Sequence, residues 1–226
     1  MRTLKQHIDE ALKIGKNLSE WSSYSCQPKT KEDLEEIIKD RIFNTGPNCD
    51  LNDIDVSLIE DMSYLFSESE FNGDISKWNV SNVNTMYLMF SDSKFNGDIS
   101  KWDVSKVEDM SGMFSNSLFN GDISKWNTSK VRDMWYMFSN SDFNKDISKW
   151  DVHRVKDMSS MFSNSNFNRD ISKWNVSKVD DMSEMFSKSK FNKDISNWKI
   201  NKDCANNDMF YSCPIKEKFK PKALQK

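Results

Sequence analysis

The chain repeats one pattern of apolar and polar residues every 24 positions between residues 71 and 199. Each copy opens with Phe-Asn-x-Asp-Ile-Ser, and no copy contains an insertion or a deletion. The copies begin at Phe71, Phe95, Phe119, Phe143, Phe167 and Phe191. A fixed period of this length predicts one supersecondary unit per copy, stacked so that each unit buries the apolar side chains of its neighbour. The pattern therefore predicts a solenoid.

Within one copy, such as residues 95–118, the spacing of the apolar residues changes partway. Asp98-Ile99-Ser100 alternates polar and apolar residues, which predicts a short strand with Ile99 on one face. Ser105, with Glu108 three residues later, matches a capping box. A helical or 3₁₀ spacing then follows at Val107, Met110, Met113 and Phe114. We therefore predict an α/β repeat solenoid, in which each copy contributes a short parallel strand and a short helical or 3₁₀ segment.

Two helices are predicted before the repeats. The first covers residues 3–18, with its apolar residues on one face, and the second opens at Thr30. Gly46 and Pro47 stop the second helix, because glycine accepts a left-handed cap and proline cannot continue the hydrogen-bond ladder. We expect these helices to form the N-terminal segment and cap, residues 1–50.

The repeat array is predicted to span residues 51–200, with degenerate copies at both ends. The first copy has Ile54 where the others have Trp. After Ile200 the pattern fails, because Asp203 and Asn206 stand where earlier copies have Val and Met. Polar residues at core positions predict that no further copy stacks there, so residues 201–226 are interpreted as a C-terminal cap and tail.

The apolar residues concentrate at fixed positions of the repeat, which hold 13 of the 15 Phe, 12 of the 13 Met and six of the eight Trp. Stacking would turn each position into a ladder along the array. An asparagine also recurs, and we expect it to form a hydrogen-bonded ladder that satisfies backbone groups, with a metal or glycan role as the alternative. The aspartates at the position of Asp98 either balance the lysines three positions later or form a calcium ladder.

Composition excludes several classes of function. The 226 residues contain 32 Lys and Arg against 35 Asp and Glu, a net charge of −3, which gives no electrostatic signature of nucleic-acid binding. No segment has the 18 apolar residues of a membrane span, and the N-terminal residues lack the apolar run of a secretory signal. The sequence does not predict a location for the protein.

Candidate chemistry is sparse. Cys26, Cys49, Cys204 and Cys213 lie outside the regular copies and are interpreted as free thiols, with a Cys204–Cys213 disulfide as the alternative. The two histidines, His7 and His153, are interpreted as surface residues. No phosphate loop, nucleophile motif or metal-ligand cluster is present. The sequence predicts a protein without enzymatic activity or cofactor.

The best-preserved copies read Phe-Asn-x-Asp-Ile-Ser-x-Trp-x-Val-Ser-x-Val-x-Asp-Met-x-x-Met-Phe-Ser, at residues 95–115 and 167–187. This motif resembles the BspA-like repeats of bacterial surface proteins, a divergent branch of the leucine-rich-repeat class, over about residues 51–200. The resemblance implies a leucine-rich-repeat-like solenoid for recognition or adhesion. Family members typically carry a signal or lipid anchor, which the N-terminal residues here do not match. The N-terminal residues also resemble the short helices of phage-encoded proteins.

Two residues between the repeated Met positions differ from copy to copy, so core packing does not dictate them. Large aromatic or apolar side chains occupy these positions in three copies, where other copies have Ser or Gly. We name these five residues the aromatic patch: Tyr64, Tyr87, Leu88, Trp135 and Tyr136. Because Tyr and Trp are enriched in binding hot spots, the patch is a candidate site for a protein or glycan partner. The alternative is local packing.

Two functions remain open from the sequence. The first is a recognition solenoid that binds its partner through the variable face. The second is a structural or virion-associated component docked by its N-terminal helix. Other variable positions of the repeat carry charged residues, such as Glu108 and Arg132, and these are interpreted as only solvated.

Overall fold

A computed structural model describes residues 25–225, and its first element is helix α1, Lys31–Thr45. The Asp33 N–H donates to Thr30 Oγ1 at 3.1 Å, and the Thr30 N–H donates to Asp33 Oδ2 at 3.3 Å. Helix α1 ends where Gly46 adopts a φ of 91°. Both predicted signals of this helix, its start at Thr30 and its stop at Gly46, are thereby confirmed. The helix predicted over residues 3–18 lies outside the described residues.

Successive copies of the repeat are joined through their backbones at one edge. Parallel bridges link the same position of every copy: Asp61, Thr85, Asp109, Asp133, Asp157, Asp181 and Ala205. Beside each bridge, every second backbone N–H donates to a carbonyl of the following copy. In the third copy the donors Met110, Gly112, Phe114 and Asn116 reach their acceptors at 2.7–3.0 Å. Each copy therefore lies directly against the next.

The position of this pairing differs from the sequence prediction. Residues 98–100, predicted as a strand, form no bridge within the described chain, whereas Asp109 lies in the segment predicted as helical. That segment is a run of turns. Its intervening N–H groups close turns within the copy, as from Met113 to the Met110 carbonyl at 3.2 Å, so the i→i−4 ladder of a helix cannot form. Consecutive turns place apolar side chains inward at the same spacing as a 3₁₀ segment.

The turns require left-handed backbone at two positions of each copy. The first holds Tyr64, Leu88, Gly112, Tyr136, Ser160, Glu184 and Asp208, with φ between 52° and 62°. The second holds Glu68, Asp92, Asn116, Asn140, Asn164, Lys188 and Ser212, with φ between 51° and 56°. Left-handed backbone costs a non-glycine residue roughly 1–2 kcal/mol. The stack compensates for this cost, because it supplies the inter-copy hydrogen bonds at the same turns.

The core consists of aromatic ladders flanked by aliphatic and methionine side chains, and nearly all of these side chains are buried. One ladder runs from Phe66 to Phe210, with ring centroids 5.5–5.9 Å apart in successive copies. A second runs from Phe71 to Phe191 at 6.1–6.3 Å. Each repeat Trp donates its indole N–H to a carbonyl of the preceding copy, as from Trp102 to Ile75 at 3.2 Å. These bonds satisfy the polar atom of an otherwise buried ring.

The recurring asparagine forms the predicted ladder. Asn96 Oδ1 accepts the N–H of Asn120 at 2.9 Å, and Asn120 Oδ1 accepts the N–H of Asn144 at 3.0 Å. The same bond recurs from Asn72 to Asn192 and ends on the N–H of Lys216. The hydrogen-bonding interpretation of this position is therefore confirmed.

Three corners of most copies are closed by Asx turns. In the third copy Asp98, Asp103 and Asp109 each accept the backbone N–H of the serine two residues later, at 2.8–3.0 Å. Ser105 is thus the donor in such a turn, and its prediction as a helix N-cap is wrong. The Asp-Ile-Ser, Asp-Val-Ser and Asp-Met-Ser segments of the repeat all mark corners.

The two ends of the array differ from each other, because residues outside the repeats pack against the N-terminal end whereas the stack continues at the C-terminal end. At the N-terminal end, the Asp55 N–H donates to the Cys26 carbonyl at 2.9 Å, and Arg41 of α1 forms an ion pair with Asp53. At the C-terminal end, Phe210 stacks on Phe186 at 5.9 Å, and the Phe186 N–H donates to the Met209 carbonyl at 2.9 Å.

The prediction that no copy stacks beyond residue 200 is therefore wrong for residues 205–211. Asp203, at the position where interior copies have a buried Val, is exposed, and the next residue, Cys204, is buried in its place with 6% exposure. Two short 3₁₀ helices, Glu217–Phe219 and Lys222–Leu224, follow this partial copy. All four cysteines are free thiols, and burial raises the pKa of Cys204 to about 11.

Candidate functional site

The aromatic patch lies on the turns that follow the inter-copy bridges. Its residues belong to the first, second and fourth copies, and the backbone hydrogen bonds of the stack position all of them. Tyr64 is 50% exposed and Tyr136 is 37% exposed, whereas Tyr87, Leu88 and Trp135 are half-buried. The patch is therefore accessible, although neighbouring residues partly cover three of its side chains.

The structure brings the patch residues together as two aromatic pairs. Tyr64 and Tyr87 meet edge to face, with ring centroids 5.2 Å apart. Trp135 and Tyr136 lie 4.5 Å apart with their planes tilted by 54°. The two pairs are separated by the third copy, which carries Ser111 and Gly112 at these positions.

Leu88 occupies the space above Gly112. A Cβ atom on this glycine would lie 2.4 Å from Leu88 Cδ2, and Gly112 also adopts a φ of 61°. The missing side chain therefore lets Leu88 cover the third copy between the two aromatic pairs. The sequence shows Gly112 as the only glycine at this position, but only the structure reveals that Leu88 fills the gap.

Carboxylates line the patch on one side. Asp133 Oδ1 accepts the Ser111 hydroxyl at 2.7 Å and the Trp135 N–H at 3.2 Å. The hydrogen bond to Tyr64 and partial burial raise the pKa of Tyr87, and the charges of Asp109 and Asp133 raise it further. The environment of the tyrosines is thus acidic.

A lysine already contacts one end of the patch. Lys31 of α1 places its Nζ 5.9 Å from the centroid of the Tyr64 ring and 3.8 Å from Asp61 Oδ2. Burial opposes the ionisation of Asp61. Hydrogen bonds from Ser63 and the charge of Lys31 outweigh this effect and hold the pKa of Asp61 below its usual value. Sequence reasoning missed this contact, because Lys31 lies outside the repeats.

The chain matches the family model described as "Mycoplasma protein of unknown function, DUF285" over residues 33–142 and again over residues 117–222. It belongs to the DUF285 family. The two matches together cover the part of α1 from residue 33 onward and the whole repeat array, so the family model describes a repeat-containing protein. Comparison with curated proteins and with solved structures gave no match.

Charged residues next to the patch pair between copies of this DUF285 chain. Arg132 Nε lies 3.2 Å from Glu108 Oε2, and Lys156 Nζ lies 3.0 Å from Asp180 Oδ2. The prediction that this position is only solvated is therefore wrong. All four side chains are more than half exposed, so each pair contributes at most about 1 kcal/mol.

Other candidate groups of the chain are used in local structure. The aspartates at the position of Asp98 accept backbone N–H groups in Asx turns, and no group of three potential metal ligands occurs within residues 25–225. His153 Nδ1 lies 2.7 Å from Asp151 Oδ1 at the surface, and His7 lies outside the described residues. No helix of the described part is long and apolar enough to cross a membrane.

Proposed function

We propose that this DUF285 protein is a non-enzymatic recognition protein of the BspA-like, leucine-rich-repeat-like solenoid type, and that it binds a protein or glycan through its aromatic patch. The observation that carries this proposal is the exposure of Tyr64 and Tyr136 on turns where other copies carry Leu, Gly, Ser, Glu or Asp. A rigid stack that displays large rings at selected copies has the features of a binding surface.

The backbone of the patch supports this proposal. Tyr64, Leu88 and Tyr136 all have a positive φ, and their N–H groups donate to the following copy at 2.9–3.0 Å. These side chains are therefore attached to a backbone that is hydrogen-bonded to the following copy. Preorganised aromatic side chains lose little conformational entropy on binding, which favours affinity.

The absence of an enzymatic role is part of the proposal. A catalytic constellation would be unique within the array, whereas Asp and Ser recur in every copy. In the third copy these side chains close Asx turns, as Asp98 does with Ser100 at 2.9 Å. The recurrence of Asp and Ser is explained by these turns, which each copy needs to close its corners.

The test is affinity capture from the source cell and binding to a glycan array, with the full chain and a Trp135→Ser/Tyr136→Ser variant. Both substitutions copy residues of the fifth repeat, Ser159 and Ser160. The matched control is Lys149→Ser, an exposed residue at another position of the repeat. The proposal predicts a ligand that the wild-type chain and the control retain and the double variant loses. Equal retention by all three chains would favour a structural component docked by residues outside the patch.

A further inference from the structure

Two copies of the repeat carry an aspartate and a tyrosine at the same two positions. They are Asp61 with Tyr64 in the first copy and Asp133 with Tyr136 in the fourth. No other copy has both. The corresponding pairs are Thr85/Leu88, Asp109/Gly112, Asp157/Ser160, Asp181/Glu184 and Ala205/Asp208.

The first of these pairs is occupied by the chain itself. Lys31 of α1 lies between the carboxylate and the ring, with its Nζ 3.8 Å from Asp61 Oδ2 and 5.9 Å from the Tyr64 centroid. Attraction to a carboxylate and to an aromatic face stabilises an ammonium group at the same time. The molecule thus shows which kind of side chain an Asp/Tyr pair of this geometry accommodates.

The second pair shares the Asx turn of the first. Asp133 Oδ1 accepts the N–H of Trp135, as Asp61 Oδ1 accepts the N–H of Ser63 at 2.7 Å. Within residues 25–225, no lysine or arginine forms an ion pair with Asp133, and the adjacent Arg132 is paired with Glu108. The Tyr136 ring is 37% exposed. The fourth copy therefore presents the pair without a paired cation from residues 25–225.

Two further features favour a cation at the fourth copy. Trp135 takes the place of Ser63 and packs against Tyr136 at 4.5 Å, so the site has a second aromatic ring, and Trp is the strongest aromatic partner of a cation. Asp109, Asp133 and Asp157 occupy bridged positions of successive copies, which places three carboxylates along this edge. The charge of the surface is thus complementary to a basic partner.

We propose that Asp133, Trp135 and Tyr136 bind a lysine or arginine side chain of a protein partner. The inference rests on the proposed function and narrows its ligand from a protein or glycan to a protein segment with an exposed basic residue. The cation would lie between Asp133 Oδ2 and the Tyr136 ring, as Lys31 lies between Asp61 and Tyr64.

The test is an NMR titration of the full-length protein with a peptide of Gly and Ser around one central Lys. The control peptide has norleucine instead, which keeps the aliphatic stem and removes the charge. We expect saturable shifts of the Trp135 indole N–H with the lysine peptide and none with the norleucine peptide. Equal shifts with both peptides would overturn the proposal.

Substitutions of Asp133 and Tyr136 test whether the lysine of the peptide binds at these two residues. Asp133→Asn keeps the Oδ1 acceptor of the Trp135 N–H and should weaken binding of the lysine peptide about two- to fivefold. Tyr136→Ser should weaken it by a similar factor, about two- to fivefold. The matched control Asp181→Asn lies at the same position two copies away, in a copy without a tyrosine, and should leave the affinity unchanged. Equal effects of Asp133→Asn and Asp181→Asn would mean that the peptide responds only to the overall negative charge, and would overturn the proposal.

A gain-of-binding variant gives an independent readout. Lys31→Ala vacates the Asp61/Tyr64 pair, so the lysine peptide should then also shift the Tyr64 ring signals and bind at two sites. Shifts that remain confined to Trp135 and Tyr136 would contradict the equivalence of the two pairs.

Failure of this inference is distinguishable from failure of the proposed function. If Trp135→Ser/Tyr136→Ser abolishes capture of a ligand but Asp133→Asn leaves the affinity for that ligand unchanged, the patch binds and the basic-residue inference is wrong. A glycan that bound through the patch would likewise support the proposed function and contradict the basic-residue inference. If neither variant affects capture, the proposed function itself is wrong.

Discussion

The interior of the stack and its turn surface follow different rules, although they belong to the same 24-residue unit. Phe114 and its counterparts are identical in the copies on either side, because each ring packs against the rings at the same position there. Tyr136 and its counterparts share only a positive φ, and their side chains range from Gly to Tyr. The comparison shows that stacking specifies side chains in the core but only backbone conformation at the turns.

The largest effect should come from breaking a core ladder. Phe114→Ala removes a fully buried ring that stacks on Phe90 and Phe138 at 5.7 Å, and we expect it to lower the free energy of unfolding by about 3–5 kcal/mol. Chemical denaturation followed by circular dichroism measures the change. Leu118→Ala, at a side chain that is 51% exposed, is the control and should cost far less. Equal losses would mean that the ladder does not carry the stability.

A smaller loss should follow from interrupting the asparagine ladder. Asn120→Ala removes the acceptor of the Asn144 N–H, and we expect a loss of about 1–3 kcal/mol. Asn120→Asp retains an oxygen acceptor and should recover most of the stability at neutral pH. Amide hydrogen exchange at Asn144 provides a local readout, because only the alanine variant should accelerate it. Unchanged exchange in that variant would contradict the ladder.

At the turn surface, relief of left-handed backbone should stabilise the protein. Lys188 is exposed and has a φ of 56°, so Lys188→Gly should increase the free energy of unfolding by up to about 1 kcal/mol. The control Lys190→Gly changes an exposed residue outside the positive-φ positions and should be destabilising by roughly 0.5–1 kcal/mol. Thermal unfolding of both variants measures the difference, and a change of the same sign in both would contradict it.

The Asx turns should make stability depend on acid. The hydroxyl and the backbone N–H of Ser100 hold the pKa of Asp98 below its ordinary value, and similar bonds act on its counterparts. A lowered folded-state pKa contributes stability above the unfolded pKa, and this contribution is lost as the pH falls through the folded pKa. The pH at the midpoint of acid denaturation should therefore lie below about 4. Asp98→Asn keeps the turn acceptor and should flatten this decline slightly; an unchanged profile would contradict a contribution from Asp98.

The smallest effect on stability is expected for the patch itself. Trp135→Ser/Tyr136→Ser should change the free energy of unfolding by less than about 1 kcal/mol, because sister copies hold the same turn with Ser159 and Ser160. Calorimetry of the double variant measures this. A loss comparable to that of Phe114→Ala would support the local-packing interpretation of the patch.

Periodicity is informative about contacts between copies and less so about backbone geometry. A period of 24 predicts that residue i lies against residue i + 24, and the asparagine ladder confirms this for Asn96 and Asn120. The capping signals of α1 were also readable, because Thr30 and Gly46 act locally. The position at which successive copies pair could not be read from the sequence. Inward-facing apolar residues three positions apart are expected both for a 3₁₀ segment and for a run of turns.

The candidate site was predictable only in part. Variation between copies identified the aromatic residues, because Trp135 and Tyr136 replace small residues of sister copies. Lys31 could not be assigned to Tyr64 from sequence, since the contact depends on how α1 lies against the first copy. The proposed role of Asp133 could not be inferred from the sequence for the opposite reason, because an aspartate recurs at this position in most copies and is interpreted as structural.

The regular spacing of the inter-copy hydrogen bonds also bears on how such proteins change over generations. The hydrogen bonds of the array join residues that are either about one repeat apart, as Met110 and Asp133 are, or close together in the sequence, as Phe95 and Ser93 are. A gene that gains or loses one 24-codon unit would thus encode a chain whose remaining partners still meet. Excision of residues 119–142 would even bring Glu108 opposite Lys156, another favourable pair. Length and the number of displayed rings can therefore vary by recombination between copies while both ends of the molecule stay the same.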